Sequence, residues 1–279
     1  MSPETPPLKV EIVQKHHKRF DVDFNLRIMK ESILNSSSSL LVFPEMFLTG
    51  YSLGSAVNSF SIDLSSTIIQ EIEESCRDNG KYVIFGFPER SSEIKGQTFN
   101  SAAVVSPGGL LGTYRKMHLV DFGPFEEWAY FTPGNELLMV EINGFRIGVI
   151  ICYDLFFPEL AKTYALSGAD AVICISASPS VTRKFFERVM VARAIEDTVF
   201  IVYSNLVGFD SRMNFWGGGA LIGPTGSILS RGPYFREGSI QGEIDIHSLT
   251  LARKNRPTLR DTRKDLLERL RDIRVLSGP

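Results

Sequence analysis

The chain has few of the residues that build disulfide frameworks and metal centres. Of its 279 residues, three are cysteine and four are histidine. The odd number of cysteines (Cys76, Cys152 and Cys174) argues against a disulfide framework and predicts a reduced, intracellular protein. Apart from the adjacent His16 and His17, the histidines are widely separated, so the sequence has no zinc-like spacing.

Long apolar runs and an excess of one charge are also missing. No run approaches the roughly 18 residues that a membrane span requires. Residues 1–10 lack the basic and then apolar pattern of a signal peptide. The 30 Lys and Arg residues nearly balance the 32 Asp and Glu residues, which gives a formal net charge of −2. We therefore expect a cytoplasmic protein with neither a membrane nor a nucleic-acid partner.

What the sequence does contain is a regular succession of short apolar runs and amphipathic segments. The hydrophobic fraction of 43% is typical of a globular protein with one large core. Periodicity and turn residues predict strands at 8–13, 40–43, 82–87, 99–105, 110–115, 137–142, 145–151, 171–176, 199–203, 215–222, 227–230 and 239–244, and helices at 20–35, 65–79, 157–167, 181–197 and 260–271. This order predicts an α/β protein of mixed strand pairing, which two packed sheets with helices outside would satisfy.

The domain organisation follows from the absence of a long linker. We predict one domain over residues 1–250 and a charged C-terminal extension over residues 251–279. The extension has an apolar stripe formed by Leu259, Leu266, Leu267 and Leu270. A stripe of this kind predicts a helix that packs at a subunit interface, the alternative being a mobile tail.

Three reactive side chains stand where apolar strands end. Glu45 follows a buried run and has apolar or rigid neighbours, so its charge must be paired unless it is simply a solvated acid. Lys116 follows the strand 110–115, and strand alternation places it on one face with Tyr114 and His118. A solvated lysine and a hydrogen-bonded structural histidine are the simpler interpretations of Lys116 and His118.

Cys152 lies between the strand 145–151 and a predicted helix. Backbone N–H groups and the helix dipole at such an elbow would favour the thiolate, which is the nucleophilic form. The alternative is an inert buried cysteine, an interpretation that suits Cys76 and Cys174 well.

Together these segments resemble the nitrilase superfamily, also called carbon–nitrogen hydrolases. The resemblance rests on Phe43-Pro-Glu45, on Tyr114-Arg-Lys116-Met-His-Leu119 and on Cys152-Tyr-Asp-Leu-Phe-Phe-Pro-Glu159, in that order. The segment from Phe125 to Gly134 is similar to the family segment with a second glutamate, and Glu127 is the matching position.

The resemblance implies a four-layer α-β-β-α sandwich, a homodimer or higher homo-oligomer, and neither a metal nor an organic cofactor. It implies that Cys152 attacks an amide carbonyl, that Glu45 exchanges the protons, and that Lys116 holds the oxyanion with the N–H of Tyr153. Glu127 would orient Lys116. A thioester on Cys152 would be the intermediate.

The substrate is less well defined by the sequence. Available aromatic side chains suggest a mostly apolar pocket for an uncharged small amide, with Phe47, Tyr51, Trp128, Tyr153, Phe156 and Trp216 as its lining. Tyr153-Asp154 after the cysteine differs from the Trp-Glu usual in nitrilases. Gly219 stands where the family often has a serine.

Other reactions remain open at this point. An N-carbamoyl-amino-acid hydrolase would need an arginine for the substrate carboxylate, and Arg183 is the candidate, although a solvated arginine is the simpler interpretation. A partner-dependent ammonia-supplying protein and an acyltransferase would retain the same four reactive residues. We therefore expect an amidase, with these as alternatives.

Overall fold

Two six-stranded sheets form the centre of the protein. The computed structural model describes residues 5–263 and residue 265. The strands are β1 (Leu8–Gln14), β2 (Leu40–Val42), β3 (Tyr82–Arg90), β4 (Thr98–Ser106), β5 (Gly109–Arg115), β6 (Leu138–Ile142), β7 (Phe145–Ile151), β8 (Ala171–Ser176), β9 (Phe200–Asn205), β10 (Val207–Asp210), β11 (Met213–Trp216), β12 (Ala220–Ile222), β13 (Ile228–Arg231) and β14 (Gly238–Ile244). The helices are α1 (Val22–Asn35), α2 (Val57–Phe60), α3 (Thr67–Asn79), α4 (Pro158–Leu166), α5 (Arg183–Asp197) and α6 (Ile246–Asn255).

Strand pairing is mixed within each sheet, as predicted. The first sheet has the order β14-β1-β2-β3-β4-β5 and the second has the order β13-β12-β9-β8-β7-β6. Parallel pairs occupy the middle of each sheet, namely β1 with β2 and β2 with β3, and β7 with β8 and β8 with β9. Antiparallel pairs surround them. The central strands are therefore mostly apolar, because both of their faces are covered.

Helices cover the outer face of each sheet and give the four-layer α-β-β-α order. The apolar faces of α1 and α3, including Met29, Ile33 and Ile72, pack on the first sheet. Helices α4 and α5 pack on the second sheet, and side chains from both sheets meet in one continuous core. The fold class predicted from the sequence is thus confirmed.

One region was predicted wrongly. The segment 215–222 is not a single strand, because β11 and β12 are separated by Gly217 and Gly218, which both have φ above +60°. Strand β10 was not predicted, and it pairs with β11 as a separate hairpin. Gly219 is closely packed, since a Cβ there would lie 2.8 Å from Ile12 Cγ2.

The C-terminal part begins with a helix that was not predicted. Helix α6 includes the proposed boundary at residue 250, and it is anchored by the buried Leu249 and Ala252. The predicted helix 260–271 lies mostly outside the described residues, and the interface role of the extension stays a prediction. Among the described residues, no helix is long and apolar enough to span a bilayer.

Candidate active site

Glu45 lies three residues after the end of β2 and is completely buried. Its Oε1 accepts hydrogen bonds from Asn100 Nδ2 at 2.7 Å and from Lys116 Nζ at 3.0 Å. Its Oε2 accepts a hydrogen bond from the N–H of Ala177 at 2.6 Å. Three donors from three separate segments therefore surround one carboxylate, which excludes the interpretation of Glu45 as a solvated acid.

Backbone packing brings Glu45 close to β3. A Cβ on Gly86 would lie 2.5 Å from Glu45 Cα and from the backbone nitrogen of Met46. Met46 itself has a φ of +55°, so the chain turns sharply directly after Glu45. Only glycine at position 86 permits this close approach of the Glu45 backbone to β3.

Lys116 joins Glu45 to the second glutamate. The Lys116 ammonium lies 3.0 Å from Glu45 Oε1 and 2.7 Å from Glu127 Oε1, and all three side chains are buried. Burial by itself lowers the pKa of Lys116, but the charges of Glu127 and Glu45 outweigh it and hold this pKa well above its usual range. Lys116 is therefore a permanent buried cation between two carboxyl groups.

Glu127 is fixed by the chain around it. It begins a short 3₁₀ turn, Glu127–Ala129, and its Oε2 accepts the N–H of Val120 at 3.0 Å. The Tyr51 hydroxyl donates to Glu127 Oε1 at 2.6 Å. Burial, and then the charge of Glu45, raise the pKa of Glu127, while Lys116 opposes this rise. Tyr51 and Lys116 thus share one oxygen of the second glutamate.

Cys152 is at the end of β7 in an unusual backbone conformation. Its φ is +51°, a region that non-glycine residues rarely adopt, and its side chain is 7% exposed. Such strain is typical of functional positions that the surrounding structure holds in place. The charges of Glu45, Lys116 and Glu127 all act on the thiol.

The expected activation of Cys152 by a helix dipole is wrong. The residues Cys152–Phe156 form a 3₁₀ turn, and α4 begins only at Pro158. Burial, and then the charge of Glu45, raise the pKa of Cys152 well above its ordinary value, although Lys116 lowers it. The resting group is therefore a thiol, which needs a base to accept its proton before it can act as a nucleophile.

Asp154 holds the turn that follows the cysteine. Its Oδ2 accepts hydrogen bonds from the Tyr114 hydroxyl at 2.8 Å and from the N–H of Ile151 at 3.2 Å. Its Oδ1 lies 2.9 Å from the backbone nitrogen of His118 and 2.8 Å from His118 Nδ1. His118 also stacks on Phe157, with ring centroids 3.4 Å apart. The buried Asp154 carboxylate thus links the end of β7 and the turn after Cys152 to residues on both sides of Lys116.

Removing the Asp154 carboxylate is expected to lower the free energy of unfolding by about 3 kcal/mol in Asp154→Ala. The variant leaves several buried donors without an acceptor, among them the Tyr114 hydroxyl, which burial keeps from ionising by raising its pKa. Urea unfolding measures this change. Asp63→Asn serves as the control, since Asp63 bonds only within its own turn and should cost less than about 1 kcal/mol. Equal losses in the two variants would contradict the linking role of Asp154.

The predicted substrate-binding residues occupy different environments. Tyr51 and Tyr153 adjoin the reactive groups, and Tyr153 contacts Phe122, with centroids 5.4 Å apart. Phe156 packs edge-on against Phe186, and Trp128 is 56% exposed next to Glu127.

Three other predicted binding or lining residues have different surroundings. Arg183 lies over the ring of Tyr234, 4.6 Å from its centroid. Phe47 and Trp216, which were expected to line the apolar pocket, are fully buried in the core and are not among the lining residues of the cavity beside Glu127.

A cavity of about 340 Å³ adjoins the second glutamate. Tyr51 and Glu127 form part of its lining, together with Tyr130, Met213 and Arg212. A larger cavity of about 490 Å³ lies between α1 and α3, and none of the reactive residues lines it. Of the four reactive residues, Glu127 lines the smaller cavity, beside its hydrogen-bond partner Tyr51, whereas Cys152, Glu45 and Lys116 are not among its lining residues. No group of three or more potential metal-ligating side chains occurs among residues 5–263 and 265.

Sequence reasoning missed Asn100 and the role of Asp154. Asn100 lies within a predicted strand, and its amide side chain in a largely apolar run was the available signal. Asp154 belongs to the motif after Cys152, but the motif assigned it no role. The backbone donor Ala177 carried no signal, since every residue type except proline supplies an N–H.

Comparisons with known proteins match nearly the whole chain. Residues 9–254 match the model of the carbon-nitrogen hydrolase family. The chain is 30% identical to a probable nitrilase of Schizosaccharomyces pombe over 94% of this chain and 97% of that protein. It is 31% identical to an (R)-stereoselective amidase of a Pseudomonas species over 92% of each chain. The crystal structure of a CN-hydrolase superfamily protein from Xanthomonas campestris, with an arsenic adduct in its active site, superposes with a TM-score of 0.85 at 25% identity, covering 92% of this chain and 98% of that one.

Proposed function

Because the chain belongs to the carbon-nitrogen hydrolase family, we propose that it is an amidase that hydrolyses small linear carboxamides through a thioester on Cys152. The observation that carries this proposal is the buried cluster of Glu45, Lys116 and Glu127 acting on a neutral thiol. Burying these charges is costly, and a structural role does not require this combination of groups beside a cysteine.

In the first half of the reaction, Cys152 Sγ bonds to the amide carbonyl carbon while Glu45 accepts the thiol proton. The negative charge that develops on the carbonyl oxygen is held by Lys116 and by the N–H of Tyr153. Lys116 has three ammonium hydrogens and uses two for the glutamates, so one remains for this oxygen. The C–N bond then breaks, and Glu45 passes the proton to the departing nitrogen.

In the second half, water attacks the thioester carbonyl. Glu45 accepts a proton from this water, the C–S bond breaks, and Glu45 passes that proton to the sulfur, so that the thiol of Cys152 is restored and the carboxylic acid is released. Glu127 keeps Lys116 in place through both halves, since it contacts the ammonium more closely than Glu45 does. Each step therefore uses only groups that this chain supplies.

A small, mostly uncharged acyl group fits the surroundings best. The cavity beside Tyr51 and Glu127 is small, and Phe122 and Tyr153 present aromatic rings near the nucleophile. The chain is about as similar to an (R)-stereoselective amidase as to a probable nitrilase, so the preference for amides over nitriles rests on Tyr153-Asp154 after the cysteine, where nitrilases usually have Trp-Glu. The predicted carboxylate-binding residue Arg183 lies over Tyr234, whereas Arg212 lines this cavity, so ureido acids are the alternative substrates to be tested.

Ammonia release from a panel of small amides, ureido acids and nitriles tests this function. We expect release from uncharged amides, at rates well above those for ureido acids and nitriles of equal size. Release only from ureido acids would replace the proposal with a carbamoyl hydrolase, and release only from nitriles would replace it with a nitrilase. No release from the whole panel would contradict a simple amidase.

A further inference from the structure

Asn100 is a buried polar side chain with an unusual pattern of partners. It lies in β4, whose nine residues are all buried, and its own exposure is 0%. Its Nδ2 donates to Glu45 Oε1 at 2.7 Å, whereas its Oδ1 has no hydrogen-bond partner among the described residues. A buried amide placed for packing would normally satisfy both ends. The one side-chain hydrogen bond of Asn100 among the described residues is to Glu45, the carboxylate that exchanges protons in the proposed reaction.

The direction of this amide is fixed by Glu45. An ionised carboxylate is only an acceptor, so the opposite orientation would place the Asn100 oxygen against the Glu45 oxygen. Lys116 also donates to Glu45 Oε1, but it is shared with Glu127, to which it is closer. Of the two side chains that donate to Glu45 Oε1, Asn100 is therefore the one that does not also donate to Glu127.

The backbone of the same residue positions the lysine. The carbonyl oxygen of Asn100 accepts the N–H of Lys116 at 2.8 Å. Asn100 thus fixes Lys116 through its main chain and Glu45 through its side chain. A displacement of either group would change the alignment between the base and the oxyanion donor, to which catalysis is sensitive.

We propose that Asn100 is a positioning residue that holds the Glu45 carboxylate in the orientation needed to exchange a proton with Cys152. This inference rests on the proposed function for its significance, but not for its test. It predicts that loss of the amide donor impairs proton exchange more than it impairs substrate binding.

Two variants of similar size separate the hydrogen bond from packing. Asn100→Leu removes the donor, and Asn100→Asp replaces it with an oxygen that can donate only when protonated. The matched control is Asn25→Asp, since Asn25 is equally buried but bonds only to Lys18 and Leu48. Besides Glu45, the titratable groups around the cluster are Lys116, Glu127, Cys152, Tyr51, Cys174 and Tyr203, and none of them is substituted in these variants.

The first readout is alkylation of Cys152 by 2-iodoethanol, which is not an amide, followed by mass spectrometry of the peptide containing Cys152. This reaction needs proton transfer from the thiol and displaces iodide, but it does not need amide turnover. We expect Asn100→Leu to slow alkylation about 10²-fold, approaching the rate in Glu45→Gln. The rate in Asn100→Asp divided by that in Asn100→Leu should rise about tenfold between pH 8 and pH 5.5, because the protonated carboxyl group donates again.

The second readout uses any amide that the wild-type protein hydrolyses. We expect kcat to fall about 10²-fold in Asn100→Leu while KM changes by less than about threefold. If Asn100→Asp does not fold, the alkylation rate of Asn100→Leu and this split between kcat and KM decide the question.

Several outcomes would overturn the inference. The first is alkylation of Asn100→Leu at the wild-type rate, and the second is a ratio of the Asn100→Asp rate to the Asn100→Leu rate that does not change with pH. The third is the same tenfold rise, between pH 8 and pH 5.5, in the alkylation rate of Asn25→Asp relative to that of Asn100→Leu. The fourth is equal alkylation rates in the wild type and Glu45→Gln. If the wild type hydrolyses no amide but alkylation follows the expected pattern, the proposed function fails while the role of Asn100 stands.

Discussion

Cys152→Ala is expected to reduce ammonia release from the best amide by about 10⁴-fold or more, without unfolding the protein. The proposed reaction has no other nucleophile at this position. Cys152, Glu45 and Lys116 act as a unit, so removing the nucleophile should abolish nearly all of the rate enhancement that they provide together. Steady-state ammonia release measures the loss. The free energy of unfolding should change by only about 1 kcal/mol, since one small side chain is shortened.

Cys76→Ala is the matched control for this prediction. Cys76 is also a buried, unpaired cysteine, but it lies in α3 on the outer face of the first sheet. Burial raises its pKa to about 12, so it is an inert thiol at neutral pH. Turnover by Cys76→Ala should remain near that of the wild type. Comparable turnover in Cys152→Ala would show that the chemistry occurs elsewhere.

Lys116→Met is expected to damage both stability and activity. The variant leaves two buried carboxyl groups without their shared cation, which should lower the free energy of unfolding by about 3–5 kcal/mol at pH 7. It also removes an oxyanion donor, so turnover should fall by at least about 10²–10³-fold. Urea unfolding and ammonia release measure the two effects separately.

The stability loss in Lys116→Met should depend on pH in a defined direction. The pKa of Glu127 is raised in the folded protein, and Lys116 opposes that rise, so its removal raises this pKa further. A carboxyl group with a raised folded-state pKa binds its proton more tightly in the folded state, so folding loses stability as pH increases. The deficit of the variant should therefore be smaller at pH 5 than at pH 8.

Two further variants test the cause of that deficit. Lys116→Met combined with Glu127→Gln should regain part of the stability but none of the activity, because only the repulsion is relieved. Lys30→Met removes an exposed lysine that pairs with Glu71 at 2.8 Å, and it should cost less than about 1 kcal/mol. A pH-independent deficit in Lys116→Met would mean that the carboxyl groups do not repel each other.

Much of the architecture was accessible from the sequence because the central strands are continuous apolar runs. Strands such as β8 are buried on both faces, so their composition alone identifies them. The end of each apolar run also marks the end of a strand in the sequence. Glu45, Lys116 and Cys152 all follow strands directly or within a few residues. The structure brings these three residues, with Glu127, into one cluster.

The errors have physical causes that local patterns do not contain. The break between β11 and β12 depends on two glycines whose positive φ angles are set by tertiary packing. The raised pKa of Cys152 depends first on burial and then on the charge of Glu45, which is far away in the sequence. The partners of Asn100 and Asp154 likewise come from distant segments, so their roles became visible only in three dimensions.

Detection of the acyl group on Cys152 is the most direct test of the account. The wild-type protein and Cys152→Ala would each be mixed with the best amide of the panel, quenched with acid and digested for mass spectrometry. We predict that the wild-type peptide containing Cys152 gains the mass of the acyl group, and that the variant gains none. Amide hydrolysis at full rate with an acyl group on another residue, or with the same adduct in Cys152→Ala, would contradict the thioester mechanism.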